Sequence, residues 1–176
     1  MGKRITDRNF FRRPAEELAK DLIGKLICHK CHDERGEFTI RARIKTTEAY
    51  QVTDDVTDAN RYGKNSQLLD GGHLYFCNDW PQERFDIVAG HSGEAESVLI
   101  RDLDAYEKGP NNASWAMDIS IEDDGLDLLD ENGMIWLEDD GTVATLKAPA
   151  KRKGIEKSKY ADALLQFSAK SFTFPD

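Results

Sequence analysis

The sequence has no apolar run of the length a membrane span needs. It shows no secretory signal either, since Met1-Gly2-Lys3-Arg4-Ile5-Thr6 leads straight into polar residues. An intracellular address follows as the expectation, cytoplasmic or, in a eukaryote, nuclear. Met1-Gly2 with Thr6 meets the loose myristoylation pattern, which is undemanding enough to arise by chance. Cysteine is scarce. Cys28-His29-Lys30-Cys31-His32 fits the C-x-x-C-H haem-attachment pattern and half of a zinc site, but the only other cysteine is Cys77. The expectation is a strand carrying reduced thiols, with no metal and no cofactor. Cationic surplus is missing too: 24 Lys and Arg face 33 Asp and Glu, a net charge of −9, which argues against a uniformly basic DNA-binding surface. Internal repeats, low-complexity tracts and a domain linker are absent, so the 176 residues are expected to form one domain, residues 1–176, with a real core.

Charge is present in blocks. Residues 118–140 hold ten acids and no Lys or Arg, whereas 147–159 hold six basic residues and one acid. Lys3, Arg4, Arg8, Arg12 and Arg13 form a second basic cluster, and Arg41, Arg43, Lys45, Arg61 and Lys64 a third. One basic face tracking a phosphate backbone and an ordinary solvated surface are both open on charge alone.

The local patterns predict an α+β protein with curved, mostly antiparallel β-structure and peripheral helices. Pro14 to Ile23 reads as a helix: Pro suits the first turn, Glu16 and Glu17 suit the positive end of the dipole, and Gly24 suits a left-handed stop. Ala15, Leu18, Ala19, Leu22 and Ile23 make its apolar face. A hairpin through Asp33–Gly36 leads to a strand in which Phe38, Ile40, Ala42 and Ile44 alternate with Thr39, Arg41, Arg43 and Lys45. Further strands are expected at 73–77, 84–89, 97–103, 134–138 and 167–174. Residues 51–66 read as a long polar loop of the kind that carries a binding site.

The long strand delivers a carboxylate, Glu48, and an aromatic ring, Tyr50, two residues apart. Simple alternation puts both on the face of Phe38, Ile40 and Ile44. A general base beside a flat ring suits an enzyme that stacks a ring and activates a water. The other reading is a strand ending near Thr47, with an exposed Glu and a half-buried Tyr.

Arg43-Ile44 through Thr47-Glu48-Ala49-Tyr50 resembles the "RIVETEAY" segment of the alkyladenine (3-methyladenine) DNA glycosylase family. Leu18–Ile27 is similar to that family's "LAR-LLG-LV", Val98-Leu99-Ile100-Arg101 to "VLLRALEP", and Gly109-Pro110 to "GPSKL" or "GPGKL". Trp136-Leu137-Glu138 is similar to "WLE", and Arg152-Lys153-Gly154-Ile155 with Tyr160 and Phe167 to "RVGV…W…RF". The resemblance spans residues 9 to 174 and rests on few specific anchors. It implies a single mixed domain in which Glu48 deprotonates a water, Arg101 helps hold that water, and backbone near Lys153 helps position it. On its residues alone, Arg101 could equally pair with Asp102 or Glu96.

The chain departs from the family pattern where the base is read. The family's His in the acidic loop is missing from Thr57-Asp58-Ala59-Asn60, and Asn112 stands where a Lys is expected. Against "LYVYxxYGMxxCxN" the second stacking Tyr falls on Cys77, the intercalating wedge on Trp80, and the purine-discriminating Asn near Asp86, given one deletion. A tip aromatic followed by Pro81 suits a wedge that fills the gap left by an extruded nucleotide. A Trp anchoring its loop to the core is the alternative.

The reading is a monofunctional glycosylase, a monomer acting on damaged double-stranded DNA, that hydrolyses the N-glycosidic bond of alkylated or otherwise damaged purines. Glu48 and Arg101 would be catalytic, Tyr50, Cys77 and Asp86 would bind the base, and Trp80 would intercalate. Two other readings stay open: a damaged-base binder with a defective pocket, and a protein–protein module working through its acidic stretch.

Overall fold

The computed structural model describes residues 2–52, 54, 65–79, 82–105 and 109–176. Helix α1 (Ala15–Leu22) starts after Pro14, carries Glu16 and Glu17 in its first turn, and is followed by Gly24 at φ +94°. Its apolar stripe of Ala15, Leu18, Ala19 and Leu22 is completely buried, as an amphipathic helix lying on a sheet requires. The chain then runs up β2 (Leu26–Asp33) and down the long β3 (Gly36–Tyr50), with Gly36 at φ +117° in the tight connection.

Strands β4 (Leu74–Asp79), β5 (Gln82–Ala89) and β6 (Glu96–Leu103) form a meander. A short helix α2 (Pro110–Ala116) follows, with Pro in its first turn. Strands β7 (Ile135–Asp139), β8 (Val143–Leu146) and β9 (Gln166–Thr173) close the chain, and β1 (Lys3–Arg4) pairs with β7. The pairing order is β1-β7-β2-β3-β6-β5-β4, and β9 joins β3 to β8. The ladders between these strands are antiparallel, so the α+β expectation holds. Among the described residues no helix is long and apolar enough to cross a membrane.

One irregularity in β3 decides which way Glu48 and Tyr50 face. Up to Ile44 the even-numbered residues face the core: Ala42 and Ile44 are buried there. Ile44 pairs with Leu103, Thr46 with Asp102 and Thr47 with Ile100, so the register slips on one strand and then on the other. A slip of one residue moves side chains to the opposite face of a sheet. Beyond it the odd residues point into the core. Ala49 joins the main cluster, and the buried Thr47 hydroxyl donates to the Ala19 carbonyl at 2.8 Å, tying β3 to α1. Strand β6 inverts in the same place, with Leu103 and then Ile100 and Val98 in the core.

Glu48 and Tyr50 therefore do not share the face of Ile44, as simple alternation predicts. They stand on the opposite face, and Tyr50 packs in a separate cluster with Leu99 and Ile155. Alternation failed because it assumes a constant register, and the two slips cancel in the pairing but not in the facing. Past the slip β3 has also left β2 and taken β9 as neighbour, pairing Thr46 with Ser168, Thr47 with Phe167 and Glu48 with Gln166.

The C-x-x-C-H stretch is ordinary strand β2. Cys28 is fully buried, and burial pushes its thiol up to about 12; His29 Nδ1 lies 2.7 Å from the Met117 carbonyl oxygen. Among the described residues no group of three His, Cys, Asp or Glu could hold a metal ion. Part of the acidic stretch is spent on ion pairs, while Asp118, Glu122, Asp124, Asp130 and Glu131 are exposed. Arg8 grips Asp127 through two bonds of 2.9 and 2.7 Å, Lys25 reaches Asp139 at 2.8 Å, and Arg43 grips Asp140 at 3.1 and 2.7 Å. Arg12 pairs with Asp70, and Arg13 with Asp21. These pairs draw on both the basic clusters and the acidic block.

The Arg43 bond to Asp140 holds that carboxyl well below the usual carboxylate range. A depressed folded-state value means that the pair stabilises the fold above about pH 4, the unfolded value, and that this contribution is lost as pH falls further. Asp140→Asn is thus expected to lower stability at pH 7 and to flatten the fall in stability between pH 5 and pH 2, as read by urea midpoints. An unchanged acid slope would contradict this.

Candidate active site

The inverted face presents Glu48 with no solvent exposure. An isolated carboxylate there would be costly, so its partners matter. Oε2 accepts the Lys153 backbone N–H at 2.9 Å and the Gln166 side-chain amide at 2.9 Å. Oε1 accepts Arg101 Nη1 at 3.2 Å and lies 3.5 Å from the Tyr50 hydroxyl, a long contact. The cation comes from β6, the amide from β9, and the backbone N–H from the segment between β8 and β9. A carboxylate oxygen accepts about two bonds. Oε2 is thus filled by two firm donors, while Oε1 has one charged donor and one long contact.

Tyr50 is held as tightly. The Arg152 guanidinium carbon lies 5.0 Å from its ring centroid and that of Arg84 lies 6.0 Å away. Arg152, whose side chain is wholly buried, bonds Asp54 at 2.7 and 2.9 Å and the Ala49 carbonyl at 3.0 Å. Burial, and then the Glu48 carboxylate, raise the Tyr50 phenol well above its usual value, so it stays protonated. The ring is 4 % exposed, so a base stacks on it only by displacing a neighbour.

The structure brings Glu48, Tyr50 and Arg101 into one cluster. Arg101 pairs with Glu48 rather than with Asp102, which accepts the Gly109 N–H, or Glu96, which accepts the Ala15 N–H. Asp86 lies on the same face: Glu48 and Asp86 both pair with Leu99, one from each side, which puts all three in one row across β3, β6 and β5. Asp86 is 2 % exposed and accepts the Ser97 hydroxyl at 2.7 Å. Cys77 packs one strand further out, with Tyr75 and Val88. Trp80 and Thr57–Asn60 lie outside the described residues.

Several contacting residues escaped the sequence reading. Gln166 lies one residue before the strand predicted at 167–174, Asp54 in the predicted polar loop, and Ser97 at the start of a predicted strand. Arg152 stood in a recognised motif without a role. No local pattern marks any of them, because each reaches the site across strands or from a distant loop.

A family model described as methylpurine-DNA glycosylase matches residues 9–108. A protein of Prosthecochloris aestuarii named "Putative 3-methyladenine DNA glycosylase" is 30 % identical over 182 aligned positions, covering 90 % of this chain and 84 % of its own length. Proteins of the same name from an Anaeromyxobacter strain and from Pseudomonas syringae pv. syringae are 30 % and 40 % identical. The alignments cover 75 % and 56 % of this chain, and 71 % and 43 % of those proteins. The chain thus spans less than half the length of the Pseudomonas relative.

Breaking a buried ion pair from one side strands the other charge, at about 3–5 kcal/mol. Arg152→Met is expected to lose stability on that scale in urea unfolding, and Arg152→Met with Asp54→Leu to regain part of it. Equal losses in the single and double variants would contradict the pairing.

Proposed function

Because the chain belongs to the methylpurine-DNA glycosylase family, we propose that it is a monofunctional DNA glycosylase that releases alkylated or otherwise damaged purines by hydrolysis. A base inside the stack is out of reach of any side chain, so the target nucleotide rotates out of the duplex, at a cost of a few kcal/mol. Its base stacks on Tyr50. Glu48 Oε1 takes a proton from a water that attacks the sugar C1′, and Arg101 fixes both the carboxylate and that water. The N-glycosidic bond breaks as positive charge develops on the sugar, and the adjacent carboxylate stabilises that charge in a site closed to bulk water. An N-alkylated purine carries its own positive charge, leaves readily and stacks well on an electron-rich ring.

The observation that carries this reading is the Glu48 carboxylate: it has no solvent exposure, and four groups from three distant segments and its own strand converge on it. A merely structural Glu is seldom buried so completely. Water serves as the nucleophile in this reading, with Arg101 keeping the Glu48 carboxylate ionised and so able to accept its proton.

The test is single-turnover base release, in low salt, from duplexes carrying a bulk-alkylated purine, hypoxanthine or 1,N6-ethenoadenine, with wild type and Glu48→Gln. Release by wild type, reduced about 10²- to 10⁴-fold in the variant, is expected from loss of a general base. Lesion binding by both with no release by either would favour a damaged-base binder. No binding even in low salt would remove DNA as the partner.

A further inference from the structure

Resting on the glycosylase reading, we infer that Lys147 and Lys170 on one side of Glu48, and Lys153 and Lys157 on the other, clamp the phosphates of the strand that carries the damaged nucleotide. The chain is acidic overall, yet residues 147–170 hold six lysines and one arginine against two acids, Glu156 and Asp162. The arginine is the buried Arg152, which is spent on Asp54. Lys151 pairs with Asp162 at 2.6 Å, and Lys159 Nζ lies 5.1 Å from the Tyr160 ring centroid. Glu156 turns back to accept the Gly154 backbone N–H at 3.1 Å. The other four lysines are exposed and, among the described residues, have no carboxylate partner.

Their placement follows from the strands that hold Glu48. On β9, Phe167 and Ala169 point into the core, so Ser168 shares the face of Gln166, and its hydroxyl meets that of Thr46 at 3.1 Å. Lys147 donates its backbone N–H to the Ser168 carbonyl at 2.9 Å. Leu146 before it packs on the core, so alternation turns Lys147 to the Glu48 face. Lys170 stands at the bulge opposite Thr145 and Leu146, four residues and about 13 Å along the strand from Gln166. The chain from Ala150 runs the other way. Ala150 bridges Gln166, Lys153 reaches Glu48 through its backbone, and Ile155 packs on Tyr50 between Lys153 and Lys157. Glu48 thus lies between two pairs of lysines. B-DNA offers one phosphate per about 3.4 Å of axis on each strand, so about 13 Å spans about four. An extruded nucleotide keeps both of its phosphates in the strand, and with its sugar at Glu48 they lie to either side of the carboxylate. On a chain of net charge −9, such a local strip is what lets a polyanion approach, and in one orientation.

The experiment measures binding to a hypoxanthine-bearing duplex across a salt series. It compares wild type with three double variants: Lys147→Gln with Lys170→Gln, Lys153→Gln with Lys157→Gln, and Lys3→Gln with Lys30→Gln. Each double variant removes the same charge. Lys3 sits on β1 at the far edge of the sheet, and Lys30 pairs with Glu37 on the β2–β3 hairpin. Each neutralised phosphate contributes about 0.9 to the slope of log affinity against log salt. Each clamp pair is therefore expected to reduce the slope by about 1.8, and the Lys3 and Lys30 pair to leave it unchanged. Neutral methylphosphonate linkages flanking the lesion are expected to reproduce the loss when they lie in the lesion strand, and to have no such effect in the complementary strand. Equal slopes in all three double variants would show that net charge alone matters and would overturn the inference, as would an equal loss from either strand. Wild type still binds in both cases, and the glycosylase reading then stands or falls on base release. No binding by wild type in low salt overturns both.

Discussion

Removing a carboxylate from water costs several kcal/mol unless other groups replace the water it gives up, and much of this molecule is arranged around meeting that requirement at Glu48. Lys153 and Gln166 supply two donors to one oxygen, and Arg101 supplies a charge to the other. None of these would reach Glu48 if β3 kept a constant register, because Glu48 would then point at α1 and the apolar core. The double slip between Ile44 and Thr47 turns it outward, and Thr47 takes its place against the helix. A pairing irregularity thus separates one sheet into a face packed on the helix and core and a face that carries Glu48 and Tyr50.

The C-terminal segment completes that second face. Arg152 is anchored by Asp54 and lies over Tyr50, Lys153 bonds Glu48, and Ile155 packs on Tyr50. Strand β9 then brings Gln166 opposite Glu48. The site draws on residues from Glu48 to Gln166, so it assembles only when β3, β6 and β9 have come together. The same economy holds for charge. An acidic chain of net charge −9 uses Asp127, Asp139 and Asp140 of its acidic block to hold Arg8, Lys25 and Arg43 in place.

Much of the fold was legible in local pattern. The helix before Gly24, the hairpin at 33–36 and the meander strands follow from turn residues and period-2 alternation, and they lie where those signals place them. Glu48, Tyr50 and Arg101 were legible through resemblance, and they do meet. The facing of Glu48 was not legible: a slip is a property of two strands, and nothing in residues 44–47 announces it. Gln166, Asp54 and Ser97 were invisible for a related reason. Their contacts span 118, 98 and 11 residues of chain, and the polar side chains that make them would be equally at home on a surface. Resemblance is also weakest at Thr57–Asn60, Cys77 and Asp86, where this chain departs from the family's pattern.

In the proposed reaction a carboxylate turned away from the core depends on the end of the chain to hold it for catalysis. The most direct test is Gln166→Leu, compared with wild type for single-turnover base release and for lesion-duplex binding. Losing one hydrogen bond to a charged group, worth about 1.5–3 kcal/mol, predicts a rate about 10- to 100-fold lower with binding retained. An unchanged rate would mean that Glu48 does not depend on the tail for its work.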